Sequence, residues 1–226
     1  IIMTFSIAGA CERTAMAGVA ITTSSISVGS RCPWVRAGAG AVATQNVTDP
    51  AIGNEVLELM AQGIDATAAV AAVMKGRPHA QYRQVTAVDL RGNTAEVTGS
   101  QILGSHAVSQ GGYCVAAGNL LSSTDVPEAM TQAFSDYTDE HLAERLLRSL
   151  EAGVQAGGEE GPTHSAALLV AQTTPWPLVD LRVDWSDDPV DELRQLWDRY
   201  QPQMQDYLNR ALDPEAAPSY GVPGDP

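Results

Sequence analysis

The sequence predicts an α+β domain in which two mainly antiparallel sheets lie between helix layers. Segments rich in Val, Ile, Thr, Ala and Ser, separated by glycine turns, are typical of hairpin-linked strands. Helical segments come in pairs between groups of strands, rather than one after each strand. The chain has 226 residues, and its strands and helices are too intermixed for two separate domains. We therefore expect a single domain over residues 1–212.

The first strands are predicted over residues 4–8 and 16–22, where β-branched and small apolar residues dominate. A serine-rich loop over residues 22–34 follows. The stretch 37–45 then reads Ala-Gly-Ala-Gly-Ala-Val-Ala-Thr-Gln. Its small side chains let another backbone approach closely, so we expect a tightly packed strand here.

A pair of helices is predicted next. Asp49 and Pro50 form a helix start, with Asp49 as the N-cap and Pro50 at the first helical position, and this helix runs to Gly63. An alanine-rich helix follows over residues 65–75. Beyond this pair, the pattern predicts three strands, over residues 82–90, 95–98 and 113–117.

A second helix pair is predicted after residue 120. Asp125 and Glu128 have the spacing of a capping box, for a helix that reaches about Tyr137. Thr138 is expected to cap the next helix, which carries a stripe of leucines on one face.

The rest of the chain predicts two strands, a final helix and a tail. The strands cover residues 165–171 and 178–184. Asp188 and Pro189 start the last helix, which we expect to continue past Pro202 to Leu212. The tail, residues 213–226, has four prolines and few apolar residues, so we expect it to be mobile.

A doubly wound parallel sheet is the alternative architecture. It requires strands and helices in regular alternation and a phosphate-binding glycine fingerprint. The regular alternation is missing, and Gly38-Ala39-Gly40 is a fragment of the fingerprint without its third glycine or its helix. The sequence therefore favours the antiparallel arrangement.

The charge is unevenly distributed along the chain. There are 27 acidic and 13 basic side chains, for a net charge of −14. Residues 1–120 hold seven of each sign, so the whole acidic excess lies in residues 121–226. Recognition of phosphates relies on a surplus of Lys and Arg, so we expect neither nucleic acid nor a membrane surface as a partner. We interpret the excess as solvated helix faces that favour solubility.

Other features point to a cytoplasmic protein without a metal or cofactor. No window approaches 18 consecutive apolar residues, and the start at Ile1, Ile2 and Met3 lacks the pattern of a signal peptide. The three cysteines and four histidines lack the close pairing of metal or redox sites.

Thr4 is the first candidate for chemistry, because it stands at the head of the first strand, directly after the plausible initiator Met3. If Met3 is removed, the Thr4 hydroxyl is a nucleophile and its own α-amine, with an ordinary pKa of about 7.7 to 8.0, is a base. The structural alternative is a β-branched residue favoured at the start of a strand.

Several segments together are similar to a known family. They are Met3-Thr-Phe-Ser-Ile7, Val28-Gly-Ser-Arg-Cys-Pro-Trp34, the stretch from Arg36 to Pro50, Gly118-Asn-Leu-Leu121, Ser165-Ala-Ala-Leu-Leu-Val170 and Asp180-Leu-Arg-Val-Asp184. Over residues 3 to 197 the chain resembles the bacterial and archaeal domain of unknown function 1028. The resemblance implies an Ntn-hydrolase-like four-layer sandwich and a reaction class, attack on an amide carbonyl by an N-terminal Thr, Ser or Cys. It implies no substrate.

Within that resemblance, Thr4 matches the position of the nucleophile. Asn119 is a candidate oxyanion donor, or else an Asn tolerated in a left-handed turn. Arg36 is a candidate for binding a substrate carboxylate bidentately, or else it forms a surface ion pair with one of the acids in the C-terminal half of the chain. Five more residues are candidates for lining the substrate pocket: Ser25, Ser30, Thr44, Gln45 and Asn46.

The sequence thus predicts an Ntn-type amidohydrolase that cleaves an amide or ureido C–N bond of a small, carboxylate-bearing substrate. Two alternatives stay open. One is a non-catalytic protein that binds a small ligand or serves as an oligomeric scaffold. The other is a metal-assisted hydrolase that uses Asp180 and Asp184, although these two acids and Arg182 also form an ion-pair ladder on one strand face. We expect a homo-oligomer, with Trp34 and Trp197 as candidate interface residues.

Overall fold

The computed structural model describes residues 3–219 and 221. These residues form ten strands and five α-helices. In chain order they are β1 Thr4–Cys11, β2 Met16–Thr23, β3 Pro33–Arg36, β4 Gly40–Asn46, α1 Ala51–Ala61, α2 Ala66–Met74, β5 Arg83–Asp89, β6 Thr94–Thr98, β7 Ala107–Gly111, β8 Cys114–Asn119, α3 Val126–Asp136, α4 Leu142–Gln155, β9 Ser165–Ala171, β10 Val179–Val183 and α5 Pro189–Leu212.

The strands form two sheets in which all the pairs are antiparallel. The larger sheet has the order β10-β9-β2-β1-β8-β7, and the smaller sheet has the order β3-β4-β5-β6. β1 lies inside the larger sheet, between β2 and β8, and all of its residues are buried. The predicted α+β class with two antiparallel sheets is therefore confirmed, and the doubly wound alternative is not.

Three hydrophobic clusters join these elements. α3, α4 and α5 pack on the larger sheet, and α1 and α2 pack on the smaller one. The two sheets contact each other through small residues, among them Ala41 and Ala43 of β4. The alanine and glycine stretch predicted to allow a close approach of backbones thus lies where the sheets meet.

The two tryptophans considered for an oligomer interface lie inside the protein. Trp197 is fully buried in the cluster of α3, α4 and α5. Trp34 packs, partly buried, against the cluster of α1 and α2. Neither residue supplies an exposed apolar patch.

Most predicted elements are present with shifted ends, and two strands are additional. β3 and β7 are short, and each lies at the edge of its sheet. With four and five residues, these strands are too short to show a clear alternation of apolar and polar residues. The sequence signal for these two strands is correspondingly weak.

Three of the predicted helix caps are wrong. For α1, the N-cap is Pro50 and the first helical residue is Ala51, one position later than predicted, although Asp49 Oδ1 accepts from the Ala51 amide at 3.1 Å. Asp125 precedes α3, but its side chain makes no capping hydrogen bond; its own amide donates to Ser123 Oγ at 3.1 Å. α4 is capped by His141, whose Nδ1 accepts from the amide of Ala143 at 3.1 Å, and not by Thr138. An imidazole acceptor is unusual at this position, where Ser, Thr, Asp and Asn dominate.

The last helix continues through Pro202 to Leu212, as predicted. A short 3-10 turn, Pro214–Ala216, follows it, and the Arg210 side chain donates to the carbonyl of Pro218 at 3.0 Å. Residues 220 and 222–226 of the predicted mobile tail lie outside the described residues, as do Ile1 and Ile2. The mobility of the tail stays a prediction.

Among the described helices, none combines the length and apolar character needed to cross a bilayer.

Candidate functional site

A small cavity lies at the start of β1. Its volume is about 240 Å³. Hydroxyl groups, one guanidinium, one amide and one thiol line it, from the residues Thr4, Thr23, Ser25, Val28, Arg31, Cys32, Asn46, Val47 and Thr48. The residues come from the ends of β1, β2 and β4 and from the loop before β3, so both sheets contribute to one site.

Thr4 faces the smaller sheet. Alternate side chains of a strand point to opposite sides, and Phe5 and Ile7 lie in the helix-side cluster. Thr4 is 2% exposed, and its Oγ1 lies 3.0 Å from Thr23 Oγ1 on the paired strand. The nucleophile candidate is therefore held by the register of β1 and β2 and opens onto the cavity.

A chain of hydroxyl groups leads away from Thr4. Thr23 Oγ1 hydrogen-bonds to the carbonyl of Met3 and lies 3.3 Å from Ser25 Oγ. Ser25 Oγ in turn accepts from Arg31 Nη2 at 2.7 Å. Thr4 is thus linked through two hydroxyls to a guanidinium.

Arg31 is the cation of this cavity. Its Nη1 donates to the carbonyls of Ile26 at 2.6 Å and Ser27 at 2.8 Å. No described carboxylate lies within ion-pair distance of it, whereas most other arginines of the described chain are paired with an acid. A guanidinium that is fixed by carbonyls and lacks an acidic partner is suited to an anionic group of a ligand.

Cys32 does not supply a competing nucleophile. Burial raises the pKa of its thiol to about 11, although Arg31 acts in the opposite direction. The thiol is protonated at neutral pH, and the thiolate is the reactive form. We therefore regard Cys32 as part of the cavity wall.

The end of β4 forms the opposite side of the cavity. Asn46 has a left-handed backbone, with φ of 66°, and its amide is used twice: Nδ2 donates to the carbonyl of Tyr82 at 2.8 Å, and Oδ1 accepts from the amide of Leu103 at 3.2 Å. Thr44 lies just behind the cavity and accepts from Thr48 Oγ1 at 2.6 Å. Asn46 lines the site directly, and Thr44 supports it.

Asn119 is the residue of β8 paired with Thr4. It is fully buried, and it does not line the cavity. Its Nδ2 donates to Gln84 Oε1 at a long 3.4 Å, and its Oδ1 is buried without a partner among the described residues. Gln84 also accepts from Gln45 Nε2 at 2.7 Å, and Gln45 Oε1 accepts from Ser6 Oγ at 2.6 Å. Gln45 and Asn119 thus belong to a polar network between the sheets.

Two predicted pocket residues lie away from the cavity. Arg36, at the far end of β3, forms an exposed ion pair with Glu58 of α1 and borders a separate surface hollow beside Trp176. Ser30 is exposed and donates to the carbonyl of Ser27 at 2.7 Å. The alternative interpretation of Arg36, a surface ion pair, describes its position, although the acid belongs to α1 rather than to the second half of the chain.

The carboxylates considered for a metal lie on the surface. Asp180 and Asp184 are exposed on β10 and just after it, and Asp184 Oδ1 accepts from Arg182 Nη2 at 2.9 Å. Within residues 3–219 and 221, no group of three or more His, Cys, Asp or Glu side chains could hold a metal ion.

Sequence reasoning missed Arg31, Thr23 and Thr48. Arg31 lies within the Val28–Trp34 segment, which is one of those that carry the family resemblance. Nothing in the residue pattern, however, indicates that Arg31 rather than Arg36 is the cation that faces the substrate. Thr23 could have been found from the hairpin, because the residue that ends the second strand pairs with the one that starts the first.

These features define an α+β protein with two antiparallel sheets and a polar cavity at the head of a buried strand. The chain belongs to the family of unknown function DUF1028, whose family model matches residues 4–193.

Two solved structures are similar to the chain. A crystal structure of a Silicibacter pomeroyi protein of the same family is 34% identical, covers 88% of this chain and 89% of its own, and has a TM-score of 0.80. Anbu, the ancestral beta-subunit from Yersinia bercovieri, is 10% identical, covers 89% of this chain and 96% of its own, and has a TM-score of 0.40. No match was found among curated proteins.

Proposed function

We propose that this protein is an Ntn-type amidohydrolase with an Ntn-hydrolase-like four-layer sandwich, and that it cleaves a C–N bond of a small amide or ureido compound. One observation carries the proposal: the Thr4 hydroxyl stands at the head of a buried strand and opens onto a hydroxyl-lined cavity that also contains Arg31. The resemblance to the family, stated above, supplies the reaction class.

In the proposed reaction, Thr4 Oγ attacks the substrate carbonyl carbon, and the Thr4 α-amine accepts the hydroxyl proton. The new O–C bond gives an ester after the C–N bond breaks, and the leaving amine takes the proton. Water then hydrolyses the ester and restores Thr4. The reaction requires a free amine, and therefore cleavage of the bond between Met3 and Thr4.

The cavity suggests the kind of substrate. Its volume of about 240 Å³ is below the range of about 300–1,000 Å³ common for drug-sized ligands, which favours a small molecule. Arg31 is proposed to bind a substrate carboxylate, the role that the sequence suggested for Arg36. Asn119 is proposed as the oxyanion donor because it pairs with Thr4 and its amide is only weakly engaged, at 3.4 Å from Gln84 Oε1. It does not line the cavity, so this role requires the amide to turn from Gln84 towards the bound substrate.

The direct test has two parts. The intact mass of native, untagged protein should correspond to a chain that begins at Thr4. A panel of small amides and ureido acids is then assayed with the wild type, Thr4→Ala and the matched control Thr48→Ala, which removes a hydroxyl from the same cavity. We expect activity to fall by about a thousandfold or more in Thr4→Ala and to persist in Thr48→Ala. A wild type that retains Met3 and is no more active than Thr4→Ala would contradict the mechanism.

A non-catalytic protein that binds a small ligand is the second candidate, and one observation favours it. Met3 is buried, its amide donates to Ser24 Oγ at 3.1 Å, and its carbonyl accepts from Ser24 N at 3.3 Å. The bond between Met3 and Thr4 is therefore well enclosed. Binding of a small carboxylate at Arg31 by a chain that keeps Met3 would support this candidate.

A further inference from the structure

A buried carboxyl group lies close to the start of β1. Glu159 is 7% exposed, and neither of its carboxyl oxygens has a hydrogen-bond partner among the described residues. Burial raises the pKa of this carboxyl to about 9. The Ser24 amide lies close enough to lower that pKa in part, without good hydrogen-bonding geometry. Buried polar groups almost always have a partner, so this one requires an explanation.

The backbone around Glu159 holds the carboxyl in this position. Glu159 forms an antiparallel bridge with Leu121, just after β8. The bridge is extended by hydrogen bonds on both sides, from Glu160 N to the Leu120 carbonyl at 2.9 Å and from Ser122 N to the Gly158 carbonyl at 3.1 Å. This pairing fixes the backbone from which the Glu159 side chain projects, and the side chain itself is buried.

The same loop covers Met3. A Cβ atom placed on Gly161 would lie 2.8 Å from Met3 Cε, so the loop passes directly against the Met3 side chain. Met3 is paired with Ser24 through hydrogen bonds in both directions, and Ser24 is the residue whose amide lies near the Glu159 carboxyl. The carboxyl therefore lies near Ser24, the residue to which Met3 is hydrogen-bonded.

No described cation compensates the carboxyl. Glu159 takes part in no ion pair of the described chain, and the basic groups of the flanking segments have other partners. His164 Nδ1 contacts the Ser186 carbonyl at 3.1 Å, and Arg31 bonds to Ser25 and to two carbonyls. Glu160, the adjacent acid, is exposed. A buried carboxylate without a counter-ion is strongly disfavoured.

We propose that Glu159 is a positioning residue that binds the α-amine of Thr4 once Met3 has been removed. This inference rests on the proposed function. An amide nitrogen in the Met3–Thr4 bond has one hydrogen and no charge, whereas a free α-ammonium has three hydrogens and a positive charge, so cleavage creates a suitable partner for the carboxyl. When the amine accepts the proton from Thr4 Oγ, Glu159 stabilises the ammonium that results.

The test compares two equivalent substitutions in neighbouring residues. Glu159→Gln removes the buried charge, and Glu160→Gln makes the same change in the exposed neighbour. Each is made in the full chain with Thr4 as its first residue, confirmed by intact mass. The pKa of the Thr4 α-amine is measured by competitive labelling with a trace of acetic anhydride over a pH series. An opposite charge in contact shifts a pKa by about one unit or more, so we expect the amine pKa to fall by that amount in Glu159→Gln and to stay unchanged in Glu160→Gln.

A second measurement uses the unsubstituted sequence and so does not depend on how a variant folds. The Glu159 carboxyl is followed by carbon NMR in the chain that retains Met3 and in the chain that begins at Thr4. We expect its pKa to fall by more than one unit when the amine is released. Equal amine pKa values in Glu159→Gln and Glu160→Gln, or a Glu159 pKa that is the same in the two chains, would overturn the inference.

The outcome is separable from that of the proposed function. If the pKa of the Thr4 α-amine is the same in Glu159→Gln and Glu160→Gln, and Thr4→Ala is inactive, the role of Glu159 is overturned and the proposed hydrolase stands. If the pKa of the Thr4 α-amine falls in Glu159→Gln, but the protein cleaves none of the tested amides, the result supports the role of Glu159 and counts against the hydrolase.

Discussion

Thr4 and Arg31 occupy the two ends of one hydrogen-bonded chain, with the hydroxyls of Thr23 and Ser25 between them. The arrangement fixes the Thr4 hydroxyl on the cavity wall and places a guanidinium without an acidic partner on the same wall. A ligand carboxylate would gain charge-assisted hydrogen bonds there, which are about twice as strong as neutral ones. At this scale the site favours a small anion beside a hydroxyl nucleophile.

Arg31, which precedes β3, and Arg36, the last residue of β3, give a matched test of this interpretation. Arg31→Met should raise the KM for a carboxylate-bearing substrate about 10- to 100-fold, because a hydrogen bond to a charged group contributes about 1.5–3 kcal/mol. Arg36→Met removes an exposed ion pair with Glu58 and should change KM by less than about twofold. Steady-state kinetics on the substrate found in the amide panel makes the comparison. A larger rise in KM for Arg36→Met than for Arg31→Met would indicate that the substrate carboxylate binds in the hollow beside Trp176.

Glu159 also predicts how stability changes with pH in the chain that retains Met3. The pKa of its carboxyl rises from an ordinary 4.5 to about 9 in the folded protein, so the unfolded chain releases the proton first. The contribution of Glu159 to stability is therefore complete below pH 4.5 and is lost as the pH rises towards 9. The free energy of unfolding, measured by urea denaturation, should fall less between about pH 5 and about pH 8 in Glu159→Gln than in the wild type. Glu160→Gln should follow the wild type; if Glu159→Gln does so too, the carboxyl is not buried as described.

Residue patterns could identify Thr4 but not the residues around it. The position of Thr4 at a strand head is visible in the sequence, and Asn46 ends a recognisable strand. Arg31 and Arg36 are five positions apart, about 16 Å along an extended chain, and the choice between them depends on how the two sheets are stacked. Glu159 and Glu160 are adjacent acids in a glycine-rich loop, and the sequence does not distinguish Glu159, which is buried and pairs with Leu121, from the exposed Glu160.

At the scale of elements, β1 organises the molecule, because its two faces serve different layers. Phe5 and Ile7 pack towards α3 and α4, while Ala8 and Ala10 pack towards the smaller sheet. The helix face includes a glycine, Gly9, where the Phe134 ring lies against the strand. The sequence predicted β1 from its composition, but the partner that crosses over Gly9 comes from a helix more than a hundred residues later, which no local pattern indicates.

Gly9 therefore gives a test of the packing between β1 and α3. A Cβ on Gly9 would lie 2.5 Å from Phe134 Cε2, so Gly9→Ala should lower the free energy of unfolding by about 1–3 kcal/mol through overpacking. Gly112, in the turn between β7 and β8, has nothing within 4 Å of the corresponding position, and Gly112→Ala should have an effect within about 0.5 kcal/mol. Urea melts of both variants decide this. Equal stabilities would mean that α3 can move away from the strand without cost.

At the scale of the whole molecule, the acidic excess and the candidate site lie in different parts of the chain. The cavity is built entirely from residues 4–48, within the half that carries seven charges of each sign. The acids of the second half include surface groups on α5 and an ion-pair network in which Arg194 joins Glu144 and Glu151. The net charge therefore says little about the ligand, and the neutral surroundings of Arg31 are the more useful electrostatic feature. Homo-oligomerisation stays a prediction, to be measured by light scattering of the purified protein.

The single-domain prediction for residues 1–212 has its own test, because the two helix-side cores each contain one tryptophan. Trp34 packs with α1 and α2, and Trp197 with α3, α4 and α5. The sheets share a third core that includes residues of β1, β2 and β4, so one helix-side core should not unfold while the other persists. Both variants are made in a background in which the exposed Trp176 and Trp185 are also replaced by Phe, so that Trp34→Phe reports on Trp197 and Trp197→Phe reports on Trp34. We expect the fluorescence and far-UV circular dichroism transitions in urea to coincide in each of them. Each variant is compared with itself, so the destabilisation caused by losing the indole does not affect the result. Separate transitions in either variant would mean that the two helix-side cores belong to independent folding units, and would count against a single domain.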